Sequence, residues 1–296
     1  MQEIEWMKSF HTAAALLPER LWRAVYTLDE HERLNCEEIR VRLGRPLCAT
    51  VDGRAVPVGD GAVVAAKDEL DELLARATEC SVHTYLEQLR CGFLTTRHGH
   101  RLGICAQAPD GDCRLLRGLS SVNIRIARQM RGLGADLNLT EAVPFDNTLI
   151  LGPPGSGKTT LLRELCRRLS ARFTVAIADE RYEIAACMNG IPRFDIGSCD
   201  VLSGGCKRET IPMLLRAMSP QILALDAITQ PEDFRCLEEC IGCGCGILAT
   251  AHGTGMEDLY RRPLYRQLVE QGVFQRLIVI CQRGRLREYR MEAVKP

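Results

Sequence analysis

Gly152-Pro153-Pro154-Gly155-Ser156-Gly157-Lys158-Thr159 matches G-x-x-x-x-G-K-[ST], the phosphate-cradling P-loop. Such a loop functions only where a strand delivers the chain to it and a helix carries the chain away. Both flanks fit. Thr148 to Leu151 is an apolar run suited to a buried strand. Residues 160–169 place apolar side chains at helical spacing, with basic residues toward the end. Glycines let main-chain N–H groups turn onto phosphate oxygens. The helix start adds unpaired donors and a partial positive charge. In this motif Lys158 reaches the β- and γ-phosphates, Thr159 ligates Mg²⁺, and the nucleotide-binding segment runs from Gly152 to Thr160.

The second half alternates buried-strand runs (148–151, 174–178, 222–226, 246–250) with helices, which predicts a mainly parallel α/β sheet closed by a hairpin over 277–290. Chemistry in such sheets collects at the carboxyl ends of the strands. Three of those ends are polar. Asp179-Glu180 follows the second run, where an acidic pair either positions water or Mg²⁺, or caps a helix and pairs at the surface. Asp226 ends Ile222-Leu-Ala-Leu225 in the Walker-B manner, where a carboxylate steadies Mg²⁺. Many P-loop ATPases place Glu next; here it is Ala227, so Glu180, Glu232 or Asp233 substitutes or hydrolysis is slow or absent. His252 ends the fourth run, placed to sense a γ-phosphate or to serve structure. Arginines of the first half (Arg101, Arg117, Arg125, Arg128) are either contacts for a γ-phosphate at a subunit boundary or solvated strand residues.

Residues 1 to about 140 follow a different grammar and form an α+β unit. A helix pair meets near Pro18, strands are expected over 38–42, 47–51, 92–96, 101–105, Leu115-Leu116 and 121–126, and helices over 67–80 and 82–89. Residues 131–144 have the composition of a connector, so the expected division is 1–140 and 141–296. The 38 basic and 38 acidic side chains balance, which argues against gripping nucleic acid as the main task. The basic residues of 207–218 (Lys207, Arg208, Arg216) are expected on a solvated helix face. No run approaches ~18 apolar residues and the first residues are acidic, so a cytosolic chain is expected, tied to any membrane through a partner. The 15 cysteines are scattered through apolar runs as reduced thiols. The cluster Cys236, Cys240, Cys243 and Cys245 lacks paired C-x2-C knuckles, and no structural zinc is expected.

Several longer stretches carry a resemblance. They include the P-loop, Asp179-Glu-Arg-Tyr-Glu-Ile-Ala-Ala186, Gly190-Ile-Pro192, Asp195-Ile-Gly197, Met213-Leu-Leu-Arg216-Ala-Met-Ser-Pro220, Pro231-Glu-Asp233 and Ala249-Thr-Ala-His252-Gly253. In the first half they include Gly99-His-Arg-Leu-Gly103 and Ser121-Val-Asn-Ile-Arg-Ile-Ala-Arg128. Together they resemble the stage III sporulation protein AA family, related to the ring-forming ATPases of type II and type IV secretion. The resemblance implies a RecA-like P-loop ATPase domain behind a smaller N-terminal α+β domain, and ATP with Mg²⁺ as ligands. It also implies a homo-oligomer, a hexameric ring, placed on the mother-cell cytosolic face of a channel to the forespore and partnered by that channel's membrane proteins. By the same resemblance Glu180 supplies a catalytic carboxylate, His252 matches a histidine box, and Arg101 and Arg117 fall where N-terminal arginines reach the nucleotide. With Lys158 and Asp226 they complete the implied catalytic set. Ala227-Ile-Thr-Gln230 departs from the family's Glu-Ile-Gly-Arg. That leaves two outcomes, a hydrolysing ring ATPase or a ring scaffold that binds ATP with little turnover.

Overall fold

The computed structural model describes residues 2–107, 117–139, 144–283 and 286–294, so Leu115-Leu116 and the tip of the closing hairpin lie outside it. The chain divides into two compact units, Met1–Gln129 and Met130–Pro296.

The first unit begins with helices α1 (Gln2–Ala14), α2 (Glu19–Val25) and α3 (Glu30–Asn35). Pro18, with no N–H to donate, stands immediately before α2 and separates it from α1. Asp29 and Glu32 close a reciprocal capping box on α3 at 2.7 and 2.9 Å. Then come β1 (Cys36–Arg42), β2 (Cys48–Val51), β3 (Arg54–Pro57), α4 (Lys67–Ala77), α5 (Leu86–Arg90), β4 (Phe93–Thr95), β5 (Arg101–Gln107) and β6 (Arg117–Arg125). They form an antiparallel sheet of order β3-β2-β1-β6-β5-β4. Asp52 and Gly53, both at positive φ (50° and 74°), make the two-residue turn of the β2–β3 hairpin. Ile39, Val41, Leu102, Val122 and Ile124 alternate inward with period two, as half-buried strands require.

His100 and Arg128 of this unit bond within its own architecture. The Ala127 N–H donates to His100 Nδ1 at 3.1 Å, so the neutral ring carries its proton on Nε2, bonded to the Thr12 hydroxyl at 2.9 Å. Burial, then the charge of His98, pushes the His100 pKa down from 6.5 to about 3. Arg128 donates to the Leu34 and Cys36 carbonyls, both at 2.6 Å, and lies over the Trp6 ring.

The second unit contains β7 (Thr148–Gly152), α6 (Lys158–Leu169), β8 (Val175–Asp179), β9 (Asp200–Ser203), α7 (Lys207–Met218), β10 (Ile222–Leu225), α8 (Pro231–Gly242), β11 (Gly246–His252), α9 (Met256–Arg261), α10 (Pro263–Glu270), β12 (Arg276–Arg283) and β13 (Leu286–Ala293). Strand order is β13-β12-β7-β11-β10-β8-β9, parallel except for the β12–β13 hairpin. The unbroken apolar runs follow from burial on both faces. Leu149, Leu151, Leu223 and Leu225 enter one core, and Ile150, Ile177, Ile222 and Ala224 the other. The edge strand β9 was not expected; its short, half-exposed residues carry a weak apolar signal.

Residues 131–139 belong to the second unit, although their composition reads as a connector. Leu137 and Leu139 are buried in the core against α6. Arg168 donates to the Gly134 and Leu137 carbonyls at 2.5 and 3.1 Å, and Glu164 accepts from the Gly132 N–H at 3.0 Å. Two buried leucines and these anchors outweigh a glycine-rich composition. The observed division therefore falls between Gln129 and Met130 rather than after residue 140.

Candidate nucleotide site

β7 ends at Gly152 in the middle of the sheet, and the chain turns through 153–157 into α6. A side chain at Gly152 would collide with the Ser156 hydroxyl, so the turn closes only on glycine there. Gly157 sits at φ 93°, a backbone state that favours glycine, and a Cβ there would stand 3.1 Å from the Arg287 guanidinium of β13. Strand register pairs Gly152 with His252 of β11. Lys158 Nζ consequently donates to the Gly152 and Pro153 carbonyls (3.0 and 2.9 Å) and to His252 Nδ1 (3.2 Å). An ammonium only donates, so Nδ1 accepts and the His252 proton lies on Nε2. Burial, then the Lys158 charge, lowers the His252 pKa, while burial lowers that of Lys158 against the opposing pull of Asp226.

Asp226 follows β10, whose last residue, Leu225, is in register with Ala249 of β11 and Ala178 of β8. Its carboxylate accepts from Thr159 Oγ1 at 3.1 Å, Thr250 Oγ1 at 2.6 Å and the Ala227 N–H at 2.9 Å. The P-loop hydroxyl and the strand-end carboxylate are thus in direct contact. This is a hard-oxygen donor set suited to Mg²⁺, and the buried Ser156 hydroxyl beside it has no protein partner. These residues fit a Mg²⁺–triphosphate.

The neighbouring acidic pair divides. Asp179 is buried, and its carboxylate accepts from the N–H groups of Glu183, Ile184, Ala185 and Ala186 at 2.8 to 3.3 Å. Burial raises its pKa against those bonds. Asp179 therefore organises the 182–186 loop, which leaves Glu180 as the member of the pair whose carboxylate is not enclosed by that loop. Arg163 of α6, wholly buried and with its pKa lowered by burial to about 10, grips the same loop through the Ile184 and Glu183 carbonyls at 2.6 and 2.7 Å. Glu180 is half-buried and accepts from Lys207 Nζ at 3.0 Å.

Lys207 corrects the expectation of a solvated face. It is buried at the first position of α7, bonded also to the Ala227 carbonyl at 3.0 Å and 3.6 Å from Asp233 Oδ2, whereas Arg208 and Arg216 are exposed. Asp233 caps α8 by accepting from the Thr229 and Gln230 N–H groups; Glu232 is exposed. Lys158, Thr159, Asp226 and His252 are brought together directly, with Glu180 joined to them through Lys207 and Ala227. Arg101, on β5, stacks on Phe93 at 3.9 Å; for Arg117 only the backbone, on β6, is described. Arg125 lies 3.7 Å from Glu38 in an ion pair, and Arg128 is the structural staple already noted. Sequence reasoning missed Lys207, Thr250 and Arg287. The Gly204-Gly205 pair before Lys207 and the i, i+2 relation of Thr250 to His252 were the available signals; nothing in the sequence marks Arg287.

Cys236, Cys240 and Cys245 are buried in apolar surroundings and Cys243 is exposed. Burial pushes the Cys240 and Cys245 thiols up, the latter to about 11. Among the described residues no group of three or more His, Cys, Asp or Glu side chains is arranged to hold a metal ion, and no helix is long and apolar enough to cross a membrane.

The fold is shared with secretion ATPases. The Legionella pneumophila ATPase DotB superposes with TM-score 0.60 at 18% identity, covering 93% of this chain and 80% of DotB. The pilus retraction motor PilT, solved with bound ADP, gives TM-score 0.60 at 15% identity over 90% of this chain and 82% of PilT. The second unit is accordingly a RecA-like P-loop domain, preceded by an N-terminal α+β unit. Stage III sporulation protein AA of Bacillus subtilis (strain 168) is 35% identical over 280 residues, 90% of this chain and 89% of that protein. The family model described as sporulation stage III, protein AA, matches residues 13–290. The chain belongs to the stage III sporulation protein AA family.

Proposed function

We propose that this chain binds and hydrolyses ATP as a ring-forming ATPase that energises or gates a channel between mother cell and forespore during sporulation. The direct bond from Thr159 to Asp226, beside Lys158 and the glycine turn, carries the reading. The main-chain N–H groups of 155–159 receive the phosphate oxygens, and Lys158 turns from its loop carbonyls to the β- and γ-phosphates. Mg²⁺, held by Thr159 and steadied by Asp226, would neutralise charge on the β- and γ-phosphates. Glu180 orients water and accepts its proton as the oxygen attacks the γ-phosphorus. The bond from phosphorus to the β,γ-bridging oxygen breaks, giving ADP and inorganic phosphate. Neutral His252, bonded to Lys158, follows the lysine and so responds to the γ-phosphate. Arg101 and Arg117 complete the site when the chain assembles as a homo-oligomeric, hexameric ring. The ring works in the mother-cell cytosol against membrane proteins of the channel, with no nucleic acid involved. Calorimetry of ATP binding decides the core of this reading. Lys158→Ala should weaken binding at least about 100-fold, and unchanged affinity would end it.

Ala227 favours a second reading, a ring scaffold that binds ATP with little turnover. Phosphate release separates the two: a hydrolysing chain loses about 100-fold in kcat with Glu180→Gln, whereas a scaffold shows no rate to lose. Mass in solution with and without ATP and Mg²⁺ tests the ring under either reading.

A further inference from the structure

Lys207 is in an expensive place. An ammonium at the first position of a helix opposes the helix dipole, and a buried ammonium carries a desolvation penalty that only well-placed oxygens offset. A fold needing stability alone is served as well by an apolar side chain. Its three oxygen partners come from three element ends that converge on the nucleotide site: Glu180 after β8, Ala227 after β10 and Asp233 in the first turn of α8.

The partners are not equivalent. Asp233 Oδ2 is already held by the Thr229 and Gln230 N–H groups at 2.8 and 3.1 Å. The Ala227 carbonyl belongs to the peptide whose N–H, that of Ile228, donates to the Thr250 carbonyl at 3.0 Å, and the Ala227 N–H on its other side is bonded to Asp226 Oδ1 and Thr250 Oγ1, both at 2.9 Å. Two of the oxygens are therefore anchored. Glu180, with its side chain 37% exposed against 9% for Asp233, is the one left to be oriented. At the position where many P-loop ATPases carry a carboxylate after the Walker-B Asp, this chain offers only the Ala227 carbonyl, and that carbonyl holds the ammonium that holds Glu180.

We propose that Lys207 is a positioning residue that pins the Glu180 carboxylate beside Asp226, so that a carboxylate after β8 does the work of the one missing after β10. The proposal rests on the reading of Glu180 as the catalytic carboxylate. Its removal should affect the chemical step and leave nucleotide binding unaffected.

The test is steady-state phosphate release by the full chain with Mg²⁺–ATP, alongside ATP calorimetry and thermal unfolding. Lys207→Met should lower kcat by about 10- to 100-fold, with KM and ATP affinity within about twofold. Lys207→Arg, which keeps the charge and the donors, should recover part of the loss. In a Glu180→Gln background Lys207→Met should have almost no further effect, because the group it positions is gone. A folded Lys207→Met chain with kcat within twofold of wild type overturns the proposal. So does an equal loss in both backgrounds, or a fall in ATP affinity that matches the fall in kcat. If Lys207→Met does not fold, Lys207→Arg decides by the same cycle: a kcat loss that disappears in the Glu180→Gln background supports the proposal, and one that persists there, or no loss at all, overturns it. Wild-type turnover unaffected by Glu180→Gln removes the reading of Glu180 beneath the proposal, and absence of any turnover removes both. A crippled Glu180→Gln beside an intact Lys207→Met removes the role of Lys207 alone.

Discussion

The ends of β8 and β10 read alike, an apolar strand finished by Asp, yet the two carboxylates have different work. Asp179 is enclosed by four main-chain N–H groups of the loop that follows it, where Tyr182 and Ala186 take up positive φ (55° and 49°) so that the chain can curl back. Asp226 meets two hydroxyls and one N–H, and one hydroxyl belongs to the P-loop. The strand delivers an acid to its carboxyl end in both cases. What then folds over it decides whether it becomes architecture or remains able to bind a cation. The residue after each Asp completes the contrast: Glu180 offers a carboxylate after β8, whereas Ala227 offers only a carbonyl after β10.

Asp179→Ala should break this contrast most severely. It leaves four main-chain N–H groups, three of them in buried bonds, without this acceptor, a loss of about 3–5 kcal/mol in urea unfolding. A change within about 1 kcal/mol would show that Asp179 is not the loop's organiser. Asp226→Asn should do the opposite, reducing Mg²⁺-dependent phosphate release by at least about 100-fold while altering stability by less than about 1 kcal/mol. Large unfolding with ordinary turnover would exchange the two roles.

The first unit provides a third committed polar group and a pH test. His100 binds a proton near 6.5 when unfolded and near 3 when folded. Between those values the unfolded state takes up the proton and the folded state does not, so stability is full above the unfolded value and falls as pH falls through the window. From pH 7 to pH 5 the first unit should lose about 2 kcal/mol. Both tryptophans, Trp6 and Trp22, lie in that unit, so their fluorescence during urea unfolding reports it. His100→Gln should flatten the dependence, and a wild-type curve flat over that interval would show that the ring is not the group responsible. The smallest effect sharpens the contrast between residues 180 and 227. Ala227→Glu placed in a Glu180→Gln background should restore phosphate release by about tenfold, and no recovery would mean that the two strand ends do not present a carboxylate to the same place.

Much of the fold was readable because its cues are local. Buried parallel strands must be apolar on both faces, so β7, β8, β10 and β11 show as unbroken runs. The P-loop needs glycines at positions that chance seldom supplies together, and an Asp after an apolar strand marks β10. Readings failed where a side chain's partner is distant in the chain. Lys207 has the look of a solvated helix residue until Glu180 and Ala227 surround it. Residues 131–139 have the look of a linker until Leu137 and Leu139 find a core. Arg287 carries no pattern, since its place over Gly157 depends on the β12–β13 hairpin lying beside β7.

The amino-acid order alone determined that this chain has a phosphate loop between a buried strand and a helix, a sheet to carry it, and acids at two strand ends. Those features are spelled in consecutive residues and in the periods of two and 3.6 that secondary structure imposes. Only the tertiary structure decided which acid faces the loop hydroxyl, which is enclosed by amides, and which buried lysine ties a carboxylate to a neighbouring strand. Those outcomes depend on strand register and on desolvation among groups tens of residues apart, and neither is written in any local stretch of chain.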